Sequence, residues 1–296
     1  MRDGFLLMMW GFFQKLIIAD RASILVEHVI QNADGYGFAE IAVAAVFFAL
    51  QIYCDFGGYT NIARGAAAVL GFRLMNNFRQ PYLAENIKDF WRRWHISLTT
   101  WFTDYLYIPL GGNRKGELRK CLNILIVFTV SGLWHGASWN YVAWGLLHGI
   151  YRVAEEVASY FGRKRGRASL EKTGTARRLV NIVFTFLLVD FAWIFFVSGS
   201  LSHALFLLRQ MSRHFVLSGF QGTGFGKTDL ICLAFGVLLL FAVDLLHEKK
   251  ISVFALAARQ NVVVRWALYI GLIWAVILLR PYGDQVDGGA FIYFQF

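Results

Sequence analysis

Apolar positions along this chain gather into long blocks rather than alternating with polar ones. Residues 37–54, 179–197, 230–246 and 262–279 are nearly uninterrupted apolar runs. Each approaches the roughly 20 residues that a helix needs to cross a hydrocarbon core of about 30 Å. The pattern predicts an all-α integral membrane protein built as a multi-span helical bundle. The first run, residues 4–19, is interrupted by Gln14 and Lys15 and meets no small-residue cleavage site before Asp20 and Arg21, so it predicts a retained membrane helix rather than a signal peptide.

A longer apolar stretch runs from Cys121 to Tyr151. It begins after Arg114, Lys115, Arg119 and Lys120, and ends before a basic connection holding Arg163, Lys164, Arg165, Arg167, Lys172, Arg177 and Arg178. Basic loops mark the cytoplasmic side, so a stretch with basic residues at both ends is expected to enter and return as a helical hairpin. At a rise of about 1.5 Å per residue, His135 then lies roughly 20 Å from the cytoplasmic end, near the apex. Lys249, Lys250 and Arg259 mark a second cytoplasmic connection. The segment 198–228 carries only Arg209, Arg213 and Lys227, and reads as an outside loop; the tail 281–296, with Asp284 and Asp287, also falls outside.

Between Pro81 and Pro109 the pattern changes. Ile87, Phe90, Trp91 and Trp94 recur at helical spacing, with Lys88, Asp89, Arg92 and Arg93 in the complementary positions. That predicts an amphipathic helix lying in the membrane interface. Upstream, Gly57, Gly58, Gly65, Gly71 and neighbouring alanines supply small residues that allow close helix packing. There is no internal repeat and no composition break, so residues 1–296 read as one membrane-embedded domain.

Composition agrees: 57% of the 296 residues are hydrophobic and mean hydropathy is +0.49, too apolar for a soluble globular chain. The formal charge of +10 could suggest nucleic acid, but the basic residues cluster beside apolar runs, which is the signature of membrane topology and of contact with lipids. Cys54, Cys121 and Cys232 have neither metal-ligand nor paired spacing, so no metal site and no disulfide framework is indicated.

Candidate chemistry therefore rests on histidine. His28, His203, His214 and His247 fall at span ends or in loops, where a solvated imidazole needs no explanation. His135 stands inside an apolar block, where an ionisable group costs several kcal/mol unless it has a partner or a polar cavity. His95 alone reads equally well as an interfacial histidine. His148 lies thirteen residues after His135, about 220° around a continuous helix, so the two share a face only if the helix breaks. An imidazole can take a proton from an attacking hydroxyl, as acyl transfer to an alcohol requires. Arg92 and Arg93 could bind phosphate, of a donor molecule or of lipid head groups.

Five stretches together resemble a known family: Asp55-Phe-Gly-Gly-Tyr-Thr-Asn-Ile-Ala63, Pro81-Tyr-Leu, Asp89-Phe-Trp-Arg-Arg-Trp-His-Ile-Ser-Leu98, Asp104-Tyr-Leu-Tyr-Ile-Pro-Leu-Gly-Gly-Asn113 and Leu133-Trp-His-Gly-Ala137. They are similar, in order, to the membrane-bound O-acyltransferases (MBOAT), and within them to the bacterial alginate O-acetylation branch, whose C-terminus the ending Phe291-Ile-Tyr-Phe-Gln-Phe296 also resembles. The resemblance implies a ring of tilted helices around a catalytic funnel, with His135 as the catalytic histidine and His95 as a second active-site histidine. Two departures stand out. Members of that branch carry further membrane helices before the segment that starts here as Gly4-Phe-Leu-Leu, so the resemblance implies a chain that is short at its N-terminus. Gly57 and Asn61 replace a hydroxyl and a carboxylate of the branch's pattern.

The function expected on these grounds is an inner-membrane, multi-pass O-acyltransferase. It would take acetyl groups from acetyl-CoA or another acyl thioester, with no tightly bound cofactor, and pass them towards an exported, alginate-like polysaccharide. A periplasmic acyl-accepting protein is the expected partner, and the C-terminus is expected to be periplasmic. Alternatives are D-alanyl or other acyl transfer to a cell-wall polymer, a transporter with proton-relaying histidines, and a truncated remnant.

Overall fold

The computed structural model describes residues 1–164, 174–213, 215, 219, 220 and 222–281. Part of the basic connection after Arg163, His214 and almost all of the tail expected to be periplasmic, including its last six residues, lie outside the described residues. In chain order the helices are α1 (Arg2–Phe13), α2 (Asp20–Gln31), α3 (Phe38–Val69), α4 (Ile87–Arg93), α5 (Ile96–Phe102) and α6 (Glu117–His135). They continue with α7 (Trp139–Lys164), α8 (Thr175–Val197), α9 (Leu201–Arg213), α10 (Lys227–Glu248), α11 (Val253–Ala258) and α12 (Val262–Leu279). No strand occurs among the described residues.

The four long apolar runs appear as α3, α8, α10 and α12, each long and apolar enough to cross a membrane. The last of these matches its predicted run end to end. α3 runs for 32 residues, well past the predicted limit at Cys54, because the polar positions beyond it find partners inside the protein. By contacts the chain falls into two compact units, one formed by residues 1–76 and 209–296 and the other by residues 77–208.

The first unit is built on α1 against α3, and the predicted small residues make that contact. A Cβ added to Gly11 would lie 2.6 Å from the carbonyl oxygen of Gly58, and one added to Gly58 would lie 2.7 Å from that of Gly11. Gly4 and Gly65 face each other in the same way, so the two helices touch backbone to backbone. Between α1 and α2 the chain makes a π-helical turn, Gln14–Ala19. Such a turn bonds residue i to i+5, and here the Asp20 N–H donates to the Lys15 carbonyl. The same offset brings the Lys15 side chain to Asp20 at 2.9 Å, while its Nζ also meets Asp55 on α3 at 2.6 Å. All three side chains are largely buried. Tyr53 donates to Asp244 of α10 at 3.0 Å, and Arg21 donates to the last helical carbonyl of α12, that of Leu279, at 2.7 Å.

The second unit is organised by the predicted hairpin. α6 and α7 run antiparallel around the tight turn 136–138, and His135 is the last residue of α6. Glycine permits the approach: a Cβ at Gly132 would collide with the Tyr141 carbonyl, and one at Gly136 would lie 2.6 Å from the Tyr141 ring. The expected amphipathic helix is present as α4, and a second short helix, α5, follows it. α4 ends at Arg93 and α5 begins at Ile96, because the backbone between them bonds to residues 77–79 instead of continuing the spiral: the Arg79 N–H donates to the Arg93 carbonyl (2.9 Å), and the Ile96 N–H to that of Asn77 (3.0 Å). Phe90, Trp91 and Trp94 are buried rather than laid on a surface. Within the segment expected to be an outside loop joining two spans, α9 occupies Leu201–Arg213, with Ala204 and Leu207 buried three residues apart.

Candidate active site

The hairpin places His135 at a helix terminus, where the last carbonyls of α6 are unbonded within the helix, and surrounds its ring with aromatics. Its centroid lies 4.9 Å from Trp134, 5.1 Å from Trp144 and 5.3 Å from Phe196, each ring meeting it nearly edge-on. Trp134 and Leu133 are exposed, so one side of the histidine opens outward while Trp144 and Phe196 close the other.

His95 reaches the same place from the break between α4 and α5. It is buried and adopts a left-handed backbone, φ +43°, which a non-glycine residue adopts at a cost of order 1–3 kcal/mol and only when its surroundings enforce it. Its ring packs 6.4 Å from Trp134, so both sequence-predicted histidines rest against one indole. The enforcing group is Asn77. Its Oδ1 accepts the Ser97 N–H at 3.1 Å and the Ser97 hydroxyl at 2.9 Å, and lies 3.3 Å from His95 Nδ1. A backbone N–H can only donate, so the oxygen of the amide is the atom in this position, and it accepts from Nδ1 of His95 in the tautomer that carries the proton there. That tautomer leaves Nε2 as the basic nitrogen.

His148 sits on α7 beyond the turn, so the break that would let it approach His135 is present. It does not join the site directly. It is fully buried, and its Nδ1 accepts the Trp91 indole N–H at 3.3 Å; its ring meets Trp144 edge-on at 5.2 Å, and Trp144 in turn meets His135. His148 is thus one ring removed from His135. Of the two arginines, Arg92 is exposed on α4 whereas Arg93 is tied to Asp89 one turn earlier at 2.9 Å, so Arg92 is the better placed to meet an anionic group.

Sequence reasoning did not single out Asn77, Ser97 or Trp144. Ser97 stood inside a recognised motif, but Asn77 lies eighteen residues from His95 in a stretch with no periodic signal. Trp144 looked like one more apolar residue of a membrane helix.

The sequence profile of the membrane-bound O-acyltransferase family matches residues 35–198, which takes in α3, both histidine segments and the hairpin. A probable alginate O-acetylase AlgI of Pseudomonas fluorescens is 38% identical over 218 residues, covering 71% of this chain and 41% of that protein. A peptidoglycan O-acetyltransferase of Helicobacter pylori is 38% identical over 201 residues, 68% of this chain and 37% of that protein. A teichoic acid D-alanyltransferase of Bacillus subtilis is 28% identical over 163 residues, 53% of this chain and 40% of that protein. The chain therefore spans about two fifths of the length of the curated relatives it matches.

Proposed function

The chain belongs to the membrane-bound O-acyltransferase family, and from that premise we propose that it moves acetyl groups from a cytoplasmic thioester, acetyl-CoA or a related donor, towards the hydroxyls of an exported, alginate-like polysaccharide. The observation that carries this reading is the meeting of His95 and His135 on the Trp134 ring, since two imidazoles at one apolar site suit proton transfer during acyl exchange.

In the proposed step the acceptor hydroxyl oxygen attacks the thioester carbonyl carbon while a ring nitrogen of His135 takes the hydroxyl proton. The tetrahedral intermediate then collapses, the carbon–sulfur bond breaks, and the proton returns to the departing thiolate. His95, its Nδ1 directed to Asn77, turns Nε2 towards the reacting groups, where it positions the acceptor or shares the proton. The aromatic walls exclude water, which would otherwise compete as the acyl acceptor. Arg92, with Arg93 behind it, would meet phosphate of the donor or of surrounding lipid. In this proposal a hydroxyl on a periplasmic acyl-accepting protein receives the acetyl group and that protein completes the modification; the setting is the bacterial inner membrane, with the C-terminal tail on the periplasmic side.

The test is polymer acetylation in a strain carrying His135→Ala at normal protein abundance. Ester content should fall to the level of a deletion strain, and wild-type content would refute the proposal. Similarity to a D-alanyltransferase supports a second reading, D-alanyl transfer to a cell-wall polymer; mass analysis of polymer esters with and without the gene separates acetyl from D-alanyl groups.

A further inference from the structure

Adjacent carboxylates on α7 hold the two histidine-bearing segments. Glu155 reaches the start of α4: its Oε1 accepts the Ile87 N–H at 2.5 Å and its Oε2 the Lys88 N–H at 3.0 Å. These are two of the donors that the first turn of a helix leaves without an internal partner. Glu156 reaches α6 instead, its Oε2 lying 2.5 Å from Lys120 Nζ, and its Oε1 is 3.6 Å from Lys88 Nζ. Arg152, one turn earlier, binds both, at 2.8 Å to Glu155 and 2.9 Å to Glu156. Arg152 and Glu156 are buried, so the cluster is a built joint rather than a surface ion pair. Seven residues before Glu155, His148 fixes α4 a second time through the Trp91 indole.

We propose that Glu155 and Glu156 are positioning residues that set the spacing of His95 and His135. α4 leads into His95 within eight residues of Ile87, and α6 leads rigidly to His135 fifteen residues after Lys120. Glu155 bonds the backbone of α4, Glu156 pairs with Lys120 of α6 and also faces Lys88 of α4, and Arg152 locks the two carboxylates together. An acyl-transfer site tolerates little slack, since a misplacement of about 1 Å can cost on the order of a hundredfold in rate.

This inference rests on the histidine roles proposed above, and its test separates the two. Full chain carrying alanine at the three native cysteine positions is reconstituted in nanodiscs with spin labels on Thr100→Cys and Leu133→Cys, beside the two histidines. Glu155→Ala should broaden the label-to-label distance distribution and lower kcat for acetyl-CoA turnover by about tenfold or more, with donor KM changed by less than about threefold. Glu155→Gln keeps an acceptor for the Ile87 N–H and should recover part of both. Lys120→Met, which frees α6 alone, should broaden the distribution without unfolding the chain. An unchanged distribution in Glu155→Ala and Lys120→Met overturns the joint; a broadened one with full turnover overturns its role in positioning. If unsubstituted protein does not turn over acetyl-CoA, the donor proposal fails while the distances still decide the joint.

Discussion

Two ionisable residues, one in each compact unit, are held in opposite ways. In the first, Lys15 sits between Asp20 and Asp55, and helices α1 and α3 press glycine against glycine. Charge meets counter-charge, backbone meets backbone, and little is left to react. In the second, His135 faces Trp134, Trp144 and Phe196, and the contacts are ring on ring. An imidazole held this way is oriented without being neutralised. An ionisable residue inside an apolar bundle is a functional candidate by default, and the comparison shows how to divide such residues: those closed by counter-charge support the fold, and those framed by apolar surface with one open side can do chemistry.

Five measurements would break or sharpen this contrast, taken from the largest expected effect. His135→Ala should lower acyl transfer by about 10²–10⁴-fold, the usual contribution of a general base, while the melting temperature in detergent stays near that of the parent. Lys15→Met should do the reverse. Two carboxylates left in a buried site cost about 3–5 kcal/mol, so thermal stability should drop steeply and activity should fall only with the amount of folded protein; a stable but inactive Lys15→Met would erase the distinction between the units. Gly58→Leu should follow at about 1–3 kcal/mol or more through overpacking against Gly11, read by the same melts, with Gly162→Ala as a control because no atom stands within 4 Å of its added Cβ. Asn77→Ala removes the polar partner beside His95 Nδ1 and should lower kcat by about tenfold, in line with the roughly 1–3 kcal/mol of a lost buried partner, with stability less affected. Arg92→Ala should act least: an exposed charge contributes about 1 kcal/mol or less, so donor KM should rise a few-fold with kcat unchanged.

Much of this was legible beforehand because it depends on local sums. Hydropathy over a window located α3, α8, α10 and α12, and basic residues at both ends of one apolar stretch located the hairpin and put His135 at its apex. The amphipathic helix expected over residues 87–94 is α4, Ile87–Arg93, but where it stops was not legible, for a physical reason. Helical spacing records which side chains share a face, but whether the backbone stays helical depends on competing partners, and here residues 77–79 take the hydrogen bonds at Arg93 and Ile96. The outside loop at 198–228 hid α9 for a similar reason: its short apolar stripe, Ala204 and Leu207, is too weak to register in a span-sized window.

By itself, then, the sequence determined the membrane class, the main spans, the close glycine packing and the place of His135 at the turn of a hairpin, since each follows from residue type and spacing along one segment. Only the tertiary structure decided that His95 and His135 share the Trp134 ring, that Asn77 Oδ1 lies beside His95 Nδ1, that Lys15 joins Asp55 forty residues away, and that His148 meets the Trp91 indole N–H on α4. Each of these depends on which distant atoms come within about 3 Å of a donor or acceptor, a property of the folded arrangement that no window along the chain contains.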